Sequence, residues 1–253
     1  MASIAGKAST FHTIDEAIQE IKQGKVIIVI DDDDRENEGD FVCAAEFVDA
    51  GVINFLATHG RGIICAPLIR ERAKQLGLDP MVETNTSLHE TSFTVSIDCV
   101  HGTTTGVSAP DRATTIKALI HPDTKPADFA RPGHIFPLIA MEGGVLRRAG
   151  HTEAVVDLCK LAGLYPAGVL CEILKEDGTM ARVPELLKLA ERFHLKIVTV
   201  RDLIEYRMTK EKLVQKLVQT NLPTKYGTFQ IHLYQSATDS KEHLALTKGD
   251  ISP

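Results

Sequence analysis

An α/β fold with a mixed β-sheet is predicted by three features of the sequence. Over the first 208 residues, segments with the apolar pattern of strands alternate with segments that have helical spacing, as in layered α/β domains. Several strand candidates are joined by loops too short to hold a crossover helix, which favours a mixed sheet over an all-parallel one. The 253 residues are 43% hydrophobic, which is enough for a sizeable buried core.

The first half of the chain contains signals for where these elements start and end. Thr13 and Glu16 have the spacing of a capping box, which predicts a helix that ends at Gly24. The aliphatic run Val26 to Ile30 predicts a fully buried strand. The elements predicted next are a strand from Phe41, a helix from Asp49 to Gly60, a strand from Gly62 to Leu68, a helix from Ile69 to Leu76, a strand from Phe93 to Ile97 and a helix from Ser108 to Ile120.

The second half continues the alternation and then changes character. Strands are predicted at Phe136 to Met141, Val169 to Leu174 and Lys196 to Val200, and helices over about 152–162, 184–193 and 201–208. Beyond Met208 we predict a charged helical linker, Lys210 to Gln219, and two strands, Tyr226 to Tyr234 and His243 to Lys248. Because two strands cannot form a core, we expect one domain over residues 1–208 and a linker with an incomplete piece over residues 209–253.

Composition and charge exclude several classes of function. The 28 Lys and Arg against 34 Asp and Glu give a net charge of -6, so we expect neither nucleic acid nor an anionic membrane as a partner. The longest aliphatic run is far shorter than the roughly 20 residues that span a bilayer, and residues 1–10 lack the apolar core of a signal peptide, so we expect a cytoplasmic protein. The five cysteines form no C-x-x-C pair, which argues against a disulfide framework.

A run of carboxylates directly follows the first buried strand. Residues Asp31 to Asp40 contain seven carboxylates, and loops that leave sheet strands are where the sites of α/β proteins lie. A solvated charged loop is the alternative interpretation. Hard oxygen ligands suit Mg²⁺, which accepts one or two carboxylates together with substrate oxygens. Crowding also raises the pKa of some carboxylates, as a general acid or base near neutral pH requires.

A turn before an apolar helix is the second candidate site. Arg148, Gly150, His151 and Thr152 lie where free backbone N–H groups of a helix start bind anions, so a phosphate site is predicted. The positive end of the helix disfavours an imidazolium, and we therefore expect His151 to be neutral enough to bind a metal. The alternative is that His151 and Thr152 only cap the helix.

Two further features give weaker signals. The segment His101 to Ser108 (HGTTTGVS) is a candidate phosphate cradle, although its glycine spacing matches no P-loop and ordinary turn chemistry explains it equally well. Glu172 lies in an apolar strand, where a carboxylate is costly unless it has a partner. It either serves a site or pairs with a core arginine.

Five motifs, in order, resemble the 3,4-dihydroxy-2-butanone 4-phosphate synthases of riboflavin biosynthesis. They are Asp31–Asp40 (DDDDRENEGD), Thr105–Ala109 (TGVSA), Arg131–Pro137 (RPGHIFP), Arg148–Glu153 (RAGHTE) and Gly168–Glu172 (GVLCE). The resemblance spans roughly residues 10–208 and departs from the family at Asp33, where the family usually has Glu. It implies a three-layer sandwich, with the mixed β-sheet flanked by helices, and a homodimer with its sites at the subunit interface.

The resemblance also implies an activity and residue roles. The activity is that of a Mg²⁺-dependent lyase, with Mn²⁺ as a second candidate metal, which converts ribulose 5-phosphate into 3,4-dihydroxy-2-butanone 4-phosphate and formate. Glu36 and His151 would hold the metal. The implied catalytic residues are Glu38, Asp40, Cys65, His134 and Glu172, of which one, such as His134, would serve the partner's pocket. The implied substrate-binding residues are Arg35, Glu36, Asp40, Thr105, Arg148, His151, Thr152 and Glu172.

The tail carries a second resemblance. Asn221–Gln230 (NLPTKYGTFQ) and Glu242–Asp250 (EHLALTKGD) resemble the opening strands of GTP cyclohydrolase II, which is fused to the first enzyme in many bacteria and plants. The sequence contains no cysteine-rich zinc motif of that enzyme, so we expect the second activity to be absent.

Two other functions stay open on the sequence. Val26 to Ile30 followed by Asp31-x-Asp33 mimics the nucleophile strand of a haloacid-dehalogenase-type phosphatase, but the downstream acidic pair and lysine of that class are not recognisable. A non-catalytic subunit that supports a cyclohydrolase through Thr209 to Pro253 is the second alternative, and the intact acidic and histidine motifs weigh against it.

Overall fold

The computed structural model describes residues 11–32, 34–239 and 241–250. The chain divides into two compact units, Met1–Ile204 and Glu205–Pro253, which are described separately. None of the helices in the described ranges combines the length and the apolar content that a membrane span requires.

The first unit is built on a seven-stranded sheet. In chain order its strands are β1 (Ile27–Ile30), β2 (Gly39–Ala44), β3 (Arg61–Leu68), β4 (Ile97–Cys99), β5 (Phe129–Ile139), β6 (Gly168–Ile173) and β7 (Ile197–Thr199). Their spatial order is β4-β5-β3-β6-β2-β1-β7. Only β1 with β7 and β3 with β5 pair in parallel, while the other neighbours are antiparallel. The predicted mixed sheet is therefore confirmed.

Helices flank this sheet, as predicted. They are α1 (Ile14–Lys22), α2 (Ala50–Phe55), α3 (Arg70–Gln75), α4 (Ala109–Ile120), α5 (His151–Leu161) and α6 (Val183–Phe193), while α7 (Val200–Lys210) begins in this unit and ends in the second. The helix α1 packs against α5, and α2 packs against α4. Every residue of β1 and β2 is buried, so both faces of the central sheet are covered.

The helix starts follow their sequence signals. The Thr13 hydroxyl accepts a hydrogen bond from the Glu16 amide, and the Glu16 carboxylate accepts one from the Thr13 amide, which completes the capping box. The side chains of Asp49 and Ser108 cap α2 and α4 by accepting hydrogen bonds from the amides of Val52 and Asp111. The helix predicted from Asp49 to Gly60 continues beyond α2 as one π-helical turn, Leu56–Gly60, and stops at Arg61, whose φ is +68°.

Two strands of the first unit differ from the prediction. The strand expected at Phe93 to Ile97 is found at Ile97–Cys99, and Phe93 and Thr94 form only isolated bridges. The strand expected from Phe136 begins at Phe129 instead. β4 pairs with Phe129, Ala130 and Ile135 of this longer strand, and the register is irregular because the segment between Ala130 and Ile135 contains a proline and a glycine.

The second unit contains an antiparallel sheet of three strands in the order β10-β9-β8, which are β8 (Val214–Thr224), β9 (Gly227–Ser236) and β10 (Glu242–Thr247). The two predicted strands are confirmed as β9 and β10. The helical linker predicted at Lys210 to Gln219 is wrong, because residues from Val214 onwards form β8. Pairing with β9 along its whole length overrides the local helical pattern of the charged residues.

Candidate active site

One cavity gathers most of the predicted site residues. It has a volume of about 180 Å³, and nine of the predicted residues line it: Arg35, Glu36, Glu38, Asp40, Cys65, Arg148, His151, Thr152 and Glu172. A larger cavity of about 600 Å³ lies beside the segment 79–93 and shares Thr91 and Phe93 with the first. The smaller cavity is the candidate site because it collects the histidine and the carboxylates that carry chemistry.

The register of the sheet places two carboxylates opposite each other. Asp40 on β2 pairs with Glu172 on β6, so both side chains leave the same face of neighbouring strands. The Glu172 carboxylate accepts a hydrogen bond of 2.8 Å from the amide of Ile63 on β3. A Cβ at Gly62 would overlap the Glu172 side chain, so only glycine allows this approach. The partner that holds Glu172 is thus a backbone amide, and not the core arginine that the sequence left open.

The acidic loop is folded around Asp31. One oxygen of its carboxylate accepts hydrogen bonds from Arg35 Nη1 (2.7 Å) and from the Glu36 amide (3.2 Å), and the other oxygen accepts one from the Glu38 amide (2.9 Å). Asp31 and Asp40 are buried, which excludes a purely solvated loop. Asp33 lies outside the described residues.

An arginine from another element fastens the same loop. Arg182, which precedes α6, donates hydrogen bonds to the backbone carbonyls of Glu36 (2.8 Å) and Asn37. Asn37 has a φ of +53°, a conformation that asparagine tolerates better than most residues. Arg182 was not predicted as a site residue, and no local pattern indicates it, because its role depends on contacts across 145 or more residues of the chain.

Glu36 and His151 converge in the cavity, as the sequence predicted. His151 Nδ1 lies 3.7 Å from Glu36 Oε2 and 3.9 Å from Asp40 Oδ2. Asp31, Glu36 and His151 each offer a ligand atom, and these three atoms lie within 4.8 Å of one another. Both carboxylate oxygens of Asp31 already accept hydrogen bonds from N–H groups, so Glu36 and His151 are the better pair to bind a cation.

The surroundings of this pair fit a divalent cation. Asp40 Oδ1 and His151 Nε2 are buried and have no hydrogen-bond partner in the described part of the chain. Leaving a buried polar atom unpaired costs about 1–3 kcal/mol, so a ligand that pairs with it is favoured. Carboxylate and imidazole ligands beside open space suit Mg²⁺ or Mn²⁺, which keep positions for water and substrate oxygens.

Burial and crowded carboxylates shift the pKa values in the cavity. Burial raises the pKa of Asp40 to about 7, with Glu172 and Glu36 adding to the effect. Burial also raises the pKa of Glu172 and of Glu38. The pKa of Glu36 falls to about 2, since the nearby His151 ring and the charge of Arg35 outweigh its burial. The cavity therefore holds carboxyl groups with different proton affinities.

The expectation that the helix end keeps His151 neutral is wrong for the chain without a bound cation. Burial alone lowers the pKa of His151, but the Asp40 and Glu36 carboxylates outweigh burial and raise it to about 9. His151 lies at the positive end of α5, but the nearby carboxylates have the larger effect on its pKa. A cation that binds His151 must consequently displace a proton.

No side chain caps the start of α5, where His151 and Thr152 line the cavity. The capping residue is Gly150, which makes no side-chain hydrogen bond, so the alternative of a simple His151 and Thr152 cap is not observed. The Arg148 guanidinium is oriented by the Glu153 carboxylate (2.7 Å) and by the Thr91 hydroxyl (2.8 Å). A fixed guanidinium beside a helix N-terminus can bind a phosphate.

Cys65 forms part of the cavity wall. Its thiol is buried, and burial raises its pKa well above the ordinary value. A thiol in this environment stays protonated and is a poor nucleophile.

Thr105 and His134 do not line this cavity. Thr105 is exposed in the loop that follows β4, and the side chain of His134, on β5, is 48% exposed. Their assignment to the site remains a prediction, because neither residue reaches the cavity of its own chain.

Comparison with known protein families identifies the fold. The 3,4-dihydroxy-2-butanone 4-phosphate synthase family matches residues 15–206. The chain belongs to this family. The GTP cyclohydrolase II family matches residues 215–253, which include all of the three-stranded sheet except Val214.

Curated relatives carry both regions. The riboflavin biosynthesis protein RibBA of Bacillus mycoides is 60% identical over 242 residues, which are 96% of this chain and 61% of that protein. RibBA of Bacillus cytotoxicus is 59% identical over the same shares. The chain thus spans about three fifths of the length of these relatives.

Solved structures have the same architecture. RibBX, a two-domain 3,4-dihydroxy-2-butanone 4-phosphate synthase from A. baumannii, is 50% identical with a TM-score of 0.86, over 94% of this chain and 70% of that one. A synthase solved in complex with two magnesium ions is 43% identical with a TM-score of 0.76, over 79% of this chain and 98% of that one. A synthase from Candida albicans is 46% identical with a TM-score of 0.72, over 78% of this chain and 97% of that one.

Proposed function

We propose that the chain converts D-ribulose 5-phosphate into 3,4-dihydroxy-2-butanone 4-phosphate and formate. The observation that supports this best is the cavity in which Glu36 and His151 converge beside the opposed carboxyl groups of Asp40 and Glu172. The five-carbon sugar phosphate divides into a four-carbon product and a one-carbon acid. The water lost on dehydration is regained on hydrolysis, so the reaction needs no oxidant, reductant or other co-reactant.

Glu36 and His151 would hold Mg²⁺ or Mn²⁺ in this proposal. The bound cation supplies Lewis-acid stabilisation of negative charge on the carbonyl and hydroxyl oxygens of the sugar. The synthase that was solved with two magnesium ions supports the choice of metal, since it shares 43% of its residues with this chain.

The chain's own carboxyl groups would move the protons. Formation of an enediol needs a base that removes a proton from carbon, and dehydration needs an acid that protonates a departing hydroxyl. Asp40 and Glu172 suit these steps because burial raises the pKa of each, so that each can exist in either form closer to neutrality. Glu38 has a raised pKa as well and is the third member of this proton-transfer set.

Arg35 and Arg148 would bind the phosphate of the substrate. Arg35 is fixed by Asp31 and Arg148 by Glu153, so both guanidinium groups are oriented before the substrate arrives. The free amides at the start of α5, next to Thr152, add hydrogen-bond donors. Cys65, as a neutral thiol, would shape the wall and exclude water.

We further infer that two copies of the chain form a homodimer in which Thr105 and His134 complete the partner's cavity. Both residues belong to motifs that resemble the family, yet both are exposed and outside the cavity of their own chain. In a two-fold assembly, Thr105 and His134 of each subunit would lie at the cavity of the other subunit.

The two parts of the chain would have separate roles. We propose that residues 1–208 are the synthase domain and that residues 209–253 are a linker with a cyclohydrolase-like fragment. The division of the structure after Ile204 and the two family matches, over 15–206 and 215–253, support this assignment.

The test is incubation of the purified chain with ribulose 5-phosphate and Mg²⁺, with formate and inorganic phosphate measured in parallel. We expect formate without phosphate, and no formate when a chelator is present. Release of inorganic phosphate instead of formate would favour the haloacid-dehalogenase-type alternative. Neither product, from a folded and metal-loaded chain, would favour the non-catalytic subunit.

A further inference from the structure

The two sides of the Arg148 guanidinium contact different parts of the chain. Nη1 donates a hydrogen bond of 2.7 Å to the buried carboxylate of Glu153 on α5. Nε and Nη2 donate to the backbone carbonyl of His89, at 3.2 and 2.9 Å, and Nη2 also donates to the Thr91 hydroxyl at 2.8 Å. Four of the five N–H groups of Arg148 are therefore used within the chain, so at most one is left for a ligand.

The segment that contacts Arg148 has little else to hold it in place. Residues 82–90, which we call the strap, contain neither a helix nor a strand. Every strap residue except His89 is exposed, and Leu88 is 89% exposed, so burial contributes little to the position of the strap. Among the described residues, the hydrogen bonds from Arg148 are the ones that join the strap to a residue outside the segment 81–93.

Hydrogen bonds within the strap give it a defined but strained shape. The side-chain amide of Asn85 donates to the Thr91 carbonyl at 3.0 Å, and the side-chain oxygen of Asn85 accepts from the Ser87 amide at 2.9 Å. The Glu90 amide donates to the Ser87 carbonyl at 3.1 Å. Glu90 has a φ of +53°, a left-handed conformation that costs free energy for a residue other than glycine. Release of the strap would remove this strain.

Space beside the strap allows it to move. The cavity of about 600 Å³ is lined by Val82, Glu83, Asn85 and Ser87 of the strap, and it shares Thr91 with the candidate site. No strap residue belongs to the hydrophobic core. A strap that leaves Arg148 can therefore shift into this space without disturbing the packing of the core.

We propose that the strap occupies the phosphate-binding edge of Arg148 in the substrate-free chain and that a phosphate group displaces it. This inference rests on the proposed function, in which Arg148 binds the phosphate of the substrate. Two N–H groups on one edge of a guanidinium match two phosphate oxygens, and here Nε and Nη2 both donate to the His89 carbonyl. A charged oxygen accepts a stronger hydrogen bond than a neutral carbonyl, so the exchange favours phosphate. Glu153 keeps the guanidinium in place while the strap leaves.

Hydrogen exchange with inorganic phosphate as the probe tests the displacement directly. A ligand ordinarily slows exchange near its site, whereas saturating phosphate should speed exchange of the Ser87 and Glu90 amides by about tenfold or more, because the strap opens. Chloride at the same ionic strength is the control and should change nothing. Arg148→Ala should give fast exchange of the strap with or without phosphate. Strap exchange that saturating phosphate slows or leaves unchanged, or that is equally slow in R148A, would overturn the proposal.

A loosened strap should let the chain bind phosphate more tightly. Asn85→Ala removes the hydrogen bonds that brace the strap, and Asn85 lines the larger cavity but not the candidate site. Because the strap competes with phosphate, the Kd for inorganic phosphate should fall by about two- to tenfold, the size of one lost hydrogen bond. The matched control is Asn54→Ala, at an exposed position of α2, which should leave the Kd unchanged. A Kd that rises or stays unchanged in N85A, or that falls equally in N54A, would contradict the competition.

The formate assay separates this inference from the proposed function. Phosphate that binds and speeds strap exchange, in a chain that makes no formate, would refute the proposed function and support the role of the strap. Formate production by a chain whose strap phosphate does not release would refute the role of the strap alone. No binding of phosphate in calorimetry would overturn the proposal as well, because Arg148 would then have no phosphate to exchange for the strap.

Discussion

The cavity and the surface around His134 both pair a histidine with carboxylates, but they differ in burial and in hydrogen bonding. His151 in the cavity is 6% exposed, and one of its ring nitrogens has no partner among the described residues. His134 is 48% exposed and has its Nδ1 satisfied by Asp98. Buried polar atoms without partners indicate space for a bound ligand, whereas an exposed and oriented ring indicates a residue offered to another molecule.

In the proposed homodimer, each site would combine a buried component and an exposed one. The cavity groups are costly to fold because like charges are crowded together away from water. The His134 cluster, formed by His134 and Asp98, is satisfied within its own chain and has no such penalty. Substitutions in the cavity and in the His134 cluster can show whether the two regions act separately or alike.

The largest effect should come from the predicted metal ligands. Glu36→Gln or His151→Ala should lower formate production by about 10³-fold or more, because each removes a ligand of a cation that stabilises charge in the reaction. Circular dichroism should show the fold unchanged. The exposed His243 of the second unit, replaced by alanine, is the control and should retain full activity. Unchanged turnover in E36Q or H151A would refute the metal-ligand assignment.

Mixed subunits test whether the two regions serve one site. H151A and H134A chains should each be inactive alone, since each lacks a component of every site. After subunit exchange, half of the dimers are mixed and carry one intact site each, so about a quarter of wild-type activity should return. The assay is formate release before and after exchange, with exchange verified by mass spectrometry. No recovery after verified exchange would show that each cavity uses the His134 of its own chain.

The affinity for a divalent cation should rise with pH. The ordinary pKa of His151 is 6.5 and its pKa in the folded, cation-free chain is about 9, so binding must displace a proton below pH 9. The apparent Kd for Mn²⁺ should fall by up to about tenfold per pH unit between pH 7 and 9. Calorimetry at several pH values measures this. A Kd that is independent of pH in this window would show that the cation does not bind His151.

The raised pKa of His151 also makes the stability of the fold depend on pH. Because the folded pKa of His151 is raised, the protonated ring stabilises the cation-free fold fully below about pH 6.5, and this contribution is lost as the pH rises through about 9. His151→Ala should therefore flatten the loss of thermal stability over this range. A thermal unfolding midpoint that falls equally steeply in wild type and variant would contradict this.

A smaller effect is expected from the arginine that fastens the acidic loop. Arg182→Ala removes the hydrogen bonds to the carbonyls of Glu36 and Asn37, so kcat/KM should fall by about tenfold as the Glu36 ligand becomes less well positioned. The control is Arg201→Ala, which removes an exposed salt bridge to Asp32 and should change kcat/KM by less than about twofold. Hydrogen exchange of residues 34–40 should increase only in R182A. Equal effects of both substitutions would contradict the role of Arg182.

The smallest effect is expected from the second unit. A chain that ends after Lys210 keeps every residue of the cavity and of the His134 cluster, so its formate turnover should stay within about twofold of the full chain. Light scattering should show the same oligomeric state for both. A trimmed chain that loses turnover or dissociates would show that residues 211–253 support the synthase.

Much of the fold could be read from local sequence. The capping signals at Thr13, Asp49 and Ser108 fixed three helix starts, because a cap involves residues only three positions apart. The strand β8 was mistaken for a helix, because its structure depends on pairing with β9 and not on local propensity.

The residue types of the site could be predicted from the sequence, but the residues that hold them in place could not. The motifs predicted that Glu36 and His151 lie close together, and the structure places them so. The charge on His151 was predicted wrongly because the carboxylates near it come from other parts of the chain. Arg182 and Asp98 were missed for the same reason. They act through contacts with the backbone or with one side chain far along the sequence, and no spacing records such contacts.

The most direct test of the shared cation is electron spin echo spectroscopy of the Mn²⁺-loaded chain. We predict modulation from one directly bound imidazole nitrogen in the wild type, and loss of that modulation in the H151A variant measured at saturating Mn²⁺. A wild-type spectrum without imidazole modulation, or modulation that persists in H151A, would contradict the account that Glu36 and His151 hold one cation in the cavity.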